Sequence, residues 1–137
     1  MPTATPRYAA ILRELRAVLS RVSREETLEL IRRLVEAKRV FTAGQGRSGL
    51  MAKAFAQRLM HLGLVVHVAE EITTPRIGSG DVLLACSGSG ETRMTLDIMS
   101  SAHEADATVV LVTAAPDGRG GDFADLLIHL PAGTRLA

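Results

Sequence analysis

Residues 40–49 read VFTAGQGRSG, and this stretch decides the fold of the chain. A short β-prone run at residues 40–43 stops at Gly44, and a helical pattern follows over residues 48–62. The apolar run does not alternate with polar residues, which is typical of a strand covered on both faces. A strand, a glycine-rich loop and a helix in this order predict the first unit of a parallel α/β sheet.

The rest of the chain repeats this alternation. Strands are predicted at residues 65–68, 82–86, 109–112 and 126–130, and a helix is predicted at residues 92–102. Only residues 70–80 form a link without a clear helix, and this link is long enough to carry the chain across the first strand. We therefore expect an α/β fold, a three-layer α-β-α sandwich around a five-stranded parallel sheet of flavodoxin-like order 2-1-3-4-5.

Two amphipathic helices are predicted before the first strand, within residues 1–38. The first carries an apolar stripe at helical spacing, formed by Ile11, Leu12, Leu15, Val18, Leu19 and Val22. The second begins at Ser23, which forms a capping box with Glu26. Its buried face is expected to consist of Leu28, Ile31, Leu34 and Val35. These helices are natural packing surfaces between subunits, and we expect a homodimer or a homotetramer.

Length and composition limit the class of protein. The 137 residues are expected to form a single domain, residues 1–137. A net charge of +1 and an aromatic content of 3% argue against nucleic acid as a partner. No stretch approaches the ~18 apolar residues that a membrane helix needs, so no membrane partner is expected. The single cysteine, Cys86, is expected to be a buried hydrophobe in a reducing compartment, so the predicted location is the cytoplasm.

Two glycine- and hydroxyl-rich loops follow the first and third predicted strands, which are neighbours in the predicted order. They are residues 44–49, GQGRSG, and residues 87–92, SGSGET. Ligands of open α/β sheets bind at such a switch point, beyond the carboxyl ends of the strands. Glycines let backbone N–H groups approach an anion, hydroxyls add donors, and each following helix contributes its dipole. The predicted phosphate-binding residues are Gly46, Arg47, Ser48, Ser87, Gly88, Ser89 and Thr92.

Each loop also has an alternative interpretation. The pattern Gly-x-Gly-x-x-Gly at residues 44–49 is a dinucleotide-binding fingerprint, with Glu70 or Glu71 placed to hold a ribose. Tight turn packing explains the same glycines without any ligand. A pyrophosphate at the first loop would leave residues 87–92 without a role. A simple N-cap explains Ser89 but not the whole Ser-x-Ser-x-x-Thr set.

Glu91 lies within the second loop, where a carboxylate beside a phosphate would be repulsive. We expect Glu91 to lie in the first turn of the following helix, where a negative charge is stabilising. There it should point away from the phosphate, or pair with Arg47 or Arg93.

Four segments carry a family resemblance. They are FTAGQGRSGLMAKAFAQRLMHLG at residues 41–63, EEITTP at 70–75, GDVLLACSGSGET at 80–92 and FADLLIHLP at 123–131. Together they resemble the 6-phospho-3-hexuloisomerases within the SIS (sugar isomerase) family, and the resemblance covers residues 40–131. The SGSGET set is typical of SIS domains generally, whereas GRSG with RLMHLG narrows the resemblance to the hexuloisomerases.

The resemblance implies an isomerase that moves the carbonyl between C2 and C3 of a hexulose 6-phosphate, with fructose 6-phosphate as the product. It implies no metal and no organic cofactor. Such a reaction needs a base that moves a proton through an enediol, and donors that stabilise the oxyanion. The resemblance implies that His61 acts in a neighbouring subunit's site, although the dipole at a helix C-terminus also explains a histidine there. It also implies a role for Glu71 as base, substrate ligand or loop anchor.

The chain departs from the family pattern at its C-terminal end. Family members continue after the fifth strand into a helix with a glutamate that is proposed as the base, whereas this chain ends at Ala137. If the chain is complete, this carboxylate is absent. The alternative function is therefore a non-catalytic module that binds a phosphosugar, and a dinucleotide-binding domain is the third interpretation.

Overall fold

A computed structural model describes residues 6–133 of the chain. The elements in chain order are α1 (Arg7–Leu19), α2 (Arg24–Glu36), β1 (Val40–Gly44), α3 (Gly46–His61), β2 (Val66–Val68), β3 (Val82–Cys86), α4 (Arg93–Glu104), β4 (Thr108–Thr113), a 3-10 helix (Arg119–Asp122) and β5 (Leu126–His129). The five strands are parallel and lie in the order β2-β1-β3-β4-β5, which confirms the predicted topology. Residues 1–5 and 134–137 of the predicted domain lie outside the described residues.

The sheet is covered on both faces, as its unbroken apolar runs predict. Successive residues of a strand point to opposite faces, so neighbours in β1 belong to different apolar clusters. Phe41 packs on the face that is covered by Met99 of α4. Val40 packs on the opposite face with Leu34 of α2 and Leu59 of α3. Each such buried side chain contributes about 1.5–3 kcal/mol to stability, and together they fix the three layers.

The helix α2 has two apolar faces, and only one of them is buried. Leu34 is buried, whereas Leu28, Ile31 and Val35 are half or more exposed, so the prediction that all four form one buried face is wrong. The reason is geometric, because residues on an α-helix are about 100° apart and a flat sheet covers one side only. The side that faces the sheet carries Leu30 and Leu34.

The N-terminal helices begin close to their predicted positions. The hydroxyl Oγ of Ser23 accepts a hydrogen bond of 3.2 Å from the N–H of Glu26, which confirms the predicted start of α2. The helix α1 contains no buried residue. Its exposed apolar side chains are Tyr8, Ile11, Leu12, Leu15 and Leu19. No helix within residues 6–133 has both the length and the apolar composition needed to cross a membrane.

The link between β4 and β5 contains no α-helix, so the prediction that only residues 70–80 lack one is wrong. Residues 114–125 contain only the short 3-10 helix. This link holds Pro116 and three glycines, which disfavour an α-helix. A Cβ on Gly120 would lie 2.8 Å from the Leu111 side chain, so the backbone of the link packs directly on the sheet.

An ion pair stabilises the edge of the sheet at which the parallel strands begin. The Arg39 guanidinium donates to both carboxylate oxygens of Asp81, at 3.0 Å from Nε and 2.6 Å from Nη2. The N–H of Gly78 donates to the same carboxylate at 2.8 Å. Burial of Asp81 acts to raise its pKa, but the hydrogen bonds from Arg39 and Gly78 outweigh it and hold the pKa below its usual value. The pair therefore joins the residue before β1 to the turn before β3 through an ionised carboxylate.

We predict that Asp81→Asn lowers the free energy of unfolding at pH 7 by about 2 kcal/mol, because a charged hydrogen-bond partner is lost inside the fold. The native pKa is depressed, so the stabilisation is present above the unfolded pKa of ~3.9 and is lost as the pH falls through the native pKa. Urea unfolding at pH 7 and near pH 3 measures both effects, with the exposed Asp117→Asn as the control. Equal stabilities of Asp81→Asn and wild type at pH 7 would contradict the prediction.

Candidate functional site

The two glycine-rich loops begin side by side at the carboxyl edge of the sheet. Gly44, the last residue of β1, pairs with Cys86, the last residue of β3. The chain leaves β1 into α3 and leaves β3 into α4, and these helices cover opposite faces of the sheet. The loops therefore flank the crevice at which the winding of the sheet reverses, the ligand position of open α/β sheets.

The hydroxyl groups of residues 87–92 are held by hydrogen bonds within the loop. The Oγ atoms of Ser87 and Thr92 lie 3.0 Å apart in a hydrogen bond. Ser87 Oγ also accepts the N–H of Gly90 at 3.1 Å, and Ser89 Oγ accepts the N–H of Glu91 at 3.1 Å. A hydroxyl that accepts a backbone N–H keeps its own proton to donate. The three hydroxyls hold three protons and only one is used between Ser87 and Thr92, so two remain for an anion.

The backbone of the same loop offers further donors. The N–H groups of Gly88, Ser89 and Thr92 have no acceptor among the described residues. Thr92 is the N-cap residue of α4, yet its side chain makes no capping hydrogen bond and the first turn contains no acidic residue. The N-terminus of α2 differs, because Ser23 caps it and two glutamates lie in its first turn. The start of α4 thus has unsatisfied donors and an uncompensated dipole, the features that bind phosphate at helix N-termini.

The end of β4 and the link that follows it donate hydrogen bonds to carbonyl groups of this loop. Thr113 Oγ1 donates to the carbonyl of Gly88 at 3.3 Å, and the N–H of Gly120 donates to the carbonyl of Gly90 at 2.9 Å. Gly90 has a φ of +65°, and a Cβ there would lie 3.1 Å from the carbonyl oxygen of Ala115. Glycine is therefore required at residue 90 for both its conformation and its close packing. The missing α-helix between β4 and β5 leaves room for this support.

Glu91 contacts the same supporting link. Its carboxylate accepts hydrogen bonds from Nε–H of Arg119 at 2.6 Å and from the backbone N–H of Arg119 at 2.8 Å. The side-chain bond is the main reason that the Glu91 pKa is lowered, and the backbone bond adds to it. The predicted partners Arg47 and Arg93 are wrong, and so is the predicted place in the first turn, because α4 begins at Arg93 and Glu91 precedes its N-cap. Its charge is directed to Arg119 rather than into the loop. No local sequence pattern predicts the pair of Glu91 and Arg119, because the two residues are 28 positions apart in the chain.

The glycines of the first loop are explained largely by packing. A Cβ on Gly49 would lie 2.5 Å from the carbonyl oxygen of Gly44, so β1 and α3 touch through their backbones. Gly46 has a φ of +56° and begins α3. The alternative interpretation of tight turn packing therefore accounts for Gly44 and Gly49 without a ligand.

The remaining predicted residues of the first loop lie at the start of α3. Gly46 and Arg47 are exposed and Ser48 is half-buried. The N-cap residue Gln45 makes no capping hydrogen bond, so this helix end also carries free donors. The Gln45 amide reaches across the crevice, with Nε2 3.2 Å from Sδ of Met94 in the first turn of α4. The two helix N-termini are thus linked by a single side chain.

Two adjacent carboxylates follow β2 and have different surroundings. Glu70 is half-buried, and its Oε1 accepts the N–H of Gly44 at 2.8 Å and Nε2 of Gln45 at 3.4 Å. Glu71 is exposed, and its Oε1 lies 3.6 Å from Nζ of Lys53 on α3. The structure therefore brings Glu70, and not Glu71, into contact with the first loop. The sequence predicts only a ribose-binding role for Glu70, because nothing in its local pattern indicates a hydrogen bond with the N–H of Gly44.

His61 is far from both loops of its own chain. It is the exposed last residue of α3, whose first residue is Gly46. With ~1.5 Å of rise per residue, the length of α3 separates His61 from the first loop by about 22 Å. Within one chain the structure does not bring His61 together with the predicted phosphate site.

An apolar groove borders the site along α4. Its volume is about 410 Å³, and it is lined by Phe41, Ala69, Thr74, Pro75, Ile77, Leu83, Met94, Asp97, Ile98, Ser101 and Ala102. It begins at Met94, next to the loops, but contains none of the loop hydroxyls. Burial raises the pKa of the Cys86 thiol, just before the second loop, to about 11. Among residues 6–133 no group of three or more His, Cys, Asp or Glu side chains is placed to hold a metal ion.

We predict that Gly49→Ala destabilises the fold by about 1–3 kcal/mol, because the added methyl group overlaps the Gly44 carbonyl and forces α3 away from β1. The control is Gly78→Ala, whose Cβ would meet no atom within 4 Å and which should leave the stability nearly unchanged. Thermal unfolding followed by circular dichroism measures both variants. The close contact between β1 and α3 would be refuted by a Gly49→Ala variant as stable as Gly78→Ala.

Comparison with known proteins agrees with this fold. The family model described as "SIS domain" matches residues 33–135. The chain is similar to a 3-hexulose-6-phosphate isomerase of Bacillus subtilis (strain 168), with 41% identity over 127 residues that cover 93% of this chain and 69% of the relative. It is also similar to a 3-hexulose-6-phosphate isomerase of Mycobacterium gastri, with 43% identity over 113 residues that cover 82% of this chain and 57% of the relative.

A solved structure shows the same relationship. A hypothetical protein from Methanococcus jannaschii, whose crystal structure is described as inferring a function of 3-hexulose-6-phosphate isomerase, superposes with a TM-score of 0.76 at 34% identity. The match covers 82% of this chain and 63% of that one, so the chain spans about two thirds or less of the length of such relatives. The domain match over most of the chain, the sequence identity and the shared sheet topology show that this chain belongs to the SIS-domain family, whose phosphosugar isomerases have this fold.

Proposed function

We propose that this chain binds a hexulose 6-phosphate and isomerises it between the 3-keto form and fructose 6-phosphate. The observation that carries the proposal is the loop of residues 87–92, which has free backbone N–H groups and hydroxyl protons just before the uncapped N-terminus of α4. The relatives that are named 3-hexulose-6-phosphate isomerases support the choice of sugar.

The phosphate is expected to lie over residues 87–92. Ser89 donates its hydroxyl proton, and so does whichever of Ser87 and Thr92 does not donate to the other, while the N–H of Gly88 adds a backbone donor. Ser48 and Arg47, at the start of α3, approach from the other side of the crevice. The dipoles of α3 and α4 add favourable interactions with a dianion.

The isomerisation itself needs a proton to move between C3 and C2 through an enediol, together with donors for the developing oxyanion. The base is expected to be a carboxylate that follows β2, or His61 supplied by a neighbouring copy. No cofactor takes part in this proposal. The exposed apolar side chains of α1 and α2 are available for contacts with a second copy, in a homodimer or homotetramer. The proposed location is the cytoplasm.

The reaction can be tested by incubating the protein with fructose 6-phosphate in deuterium oxide. We expect deuterium at C3 of the recovered sugar, because the C3 proton is removed and replaced each time the enediol returns to the 2-keto form. A 1,2-isomerase would instead label C1, so NMR of the recovered fructose 6-phosphate separates the two reactions. Tight binding of fructose 6-phosphate without label at any carbon would reject the isomerase and leave a phosphosugar-binding module.

The phosphate site can be tested by the double variant Ser87→Ala with Ser89→Ala. We expect the affinity for fructose 6-phosphate to fall by about 3–6 kcal/mol, because two hydrogen bonds to a charged group are worth ~1.5–3 kcal/mol each. Isothermal titration calorimetry measures the change. The control replaces the exposed Ser20 and Ser79 by alanine and should bind as wild type does. An unchanged affinity in a folded Ser87/Ser89 variant would place the phosphate elsewhere.

A further inference from the structure

Glu91 is the only acidic residue in the sequence of the loop at residues 87–92, the proposed phosphate site. Its backbone is fixed in that loop, because the N–H of Glu91 donates to Oγ of Ser89 at 3.1 Å. Glu91 directly precedes Thr92, the N-cap residue of α4, whose side chain leaves the helix end uncapped. The side chain of Glu91 therefore starts beside the free N–H groups that are expected to hold the phosphate.

A carboxylate at this place is a competitor for the phosphate. The dipole of α4 and the free N–H groups of Gly88, Ser89 and Thr92 attract a side-chain carboxylate as well as a ligand. Because Glu91 is tethered one residue before the N-cap, a side-chain rotation alone changes how close its carboxylate lies to these donors. A free carboxylate there also repels a bound dianion. The loop therefore needs the charge of Glu91 to be held elsewhere.

Arg119 holds that charge through two donors. Oε1 of Glu91 accepts the backbone N–H of Arg119 at 2.8 Å, and Oε2 accepts Nε–H at 2.6 Å, so both carboxylate oxygens are engaged. The hydrogen bond between the two side chains is the main reason that the pKa of Glu91 is lowered and the pKa of Arg119 is raised. Since Arg119 begins the 3-10 helix of the link after β4, the carboxylate is bound to that link.

The glycines on either side of Arg119 pack on the phosphate loop. The N–H of Gly120 donates to the carbonyl of Gly90 at 2.9 Å, and a Cβ on Gly118 would lie 2.9 Å from the carbonyl oxygen of Ser89. The ion pair itself is exposed, with 71% of the Arg119 side chain and 38% of the Glu91 side chain accessible to solvent. Exposed ion pairs contribute little to folding, so stability does not explain this pair.

We propose that Arg119 is a positioning residue of the phosphate site, a role that rests on the proposed function. By engaging both oxygens of Glu91, Arg119 keeps this carboxylate away from the free N–H groups and hydroxyls of residues 87–92. Arg119 does not itself contact the ligand. Loss of its side chain leaves Glu91 with one backbone donor, and the released charge then competes with the phosphate for the loop.

A double-mutant cycle in the full chain tests this role, with fructose 6-phosphate as the ligand and isothermal titration calorimetry as the measurement. We expect Arg119→Ala to weaken binding ~5- to 30-fold, the upper range for one charge at a helix N-terminus. In the Glu91→Gln background the same substitution should change the affinity less than ~2-fold, because no carboxylate is left to be released. Glutamine keeps an oxygen that accepts the Arg119 N–H, so Glu91→Gln alone should bind at least as well as wild type.

Two results of the cycle would overturn the proposal. Wild-type affinity in Arg119→Ala would show that Glu91 does not compete with the ligand. A loss of the same size in both backgrounds would show that Arg119 contacts the ligand or supports the loop by itself. The matched control is Arg58→Ala, an exposed arginine near the C-terminal end of α3, which should bind as wild type does.

A conservative variant separates the charge of Arg119 from its shape. Arg119→Lys keeps a cation beside Glu91, so it should recover most of the affinity that Arg119→Ala loses. Both variants should unfold near the wild-type temperature, because the ion pair is exposed. An Arg119→Lys variant that binds as poorly as Arg119→Ala would overturn the role of the charge.

If wild type does not bind fructose 6-phosphate, the proposed function fails, and inorganic phosphate tests Arg119 separately. The affinity for inorganic phosphate should depend on Arg119 and Glu91 in the same way, because the competition concerns the anion and not the sugar. Equal phosphate affinities in wild type and Arg119→Ala, including no binding by either, would overturn the proposal.

Discussion

The parallel pairing of β1 with β3 is the constraint on which the site depends. It sets Gly44 beside Cys86 and so starts two loops at the same level of the sheet. Because α3 and α4 then leave to opposite faces, their N-termini meet at the crevice rather than lie apart. Any ligand at this place interacts with two helix dipoles of the same sign, which favours a multiply charged anion over a neutral molecule.

The two loops contribute unequally to that anion site. The glycines of the first loop serve mainly the contact of β1 with α3, since Gly49 packs on the Gly44 carbonyl. The second loop is built differently, because Thr113 and Gly120 support its carbonyls from the link after β4. With two of its carbonyls bonded to these groups, the loop leaves the N–H groups of Gly88, Ser89 and Thr92 without an acceptor among the described residues. Rigid donors of this kind bind an anion with little cost in conformational entropy.

Much of the fold could be predicted from the sequence, because apolar runs and glycine breaks are local signals. The strand order followed from the long link of residues 70–80, and the N-cap at Ser23 was correctly located. The wrong predictions concern three-dimensional contacts, namely which side chains face the sheet and which residues pair with each other. The pattern of α2 showed apolar residues without showing that Leu34 faces the sheet and Val35 does not. The pair of Glu91 with Arg119 and the bond from Gly44 to Glu70 join residues distant in the chain, and no spacing rule reveals such contacts.

The environment of Cys86 has a consequence for the chemistry of the second loop. With a pKa of about 11, only about one thiol in ten thousand is ionised at pH 7, and the thiolate is the form that reacts. Peroxides and alkylating reagents should therefore react slowly with this sulfur. A cysteine therefore stands next to the anion loop without supplying a reactive thiolate there.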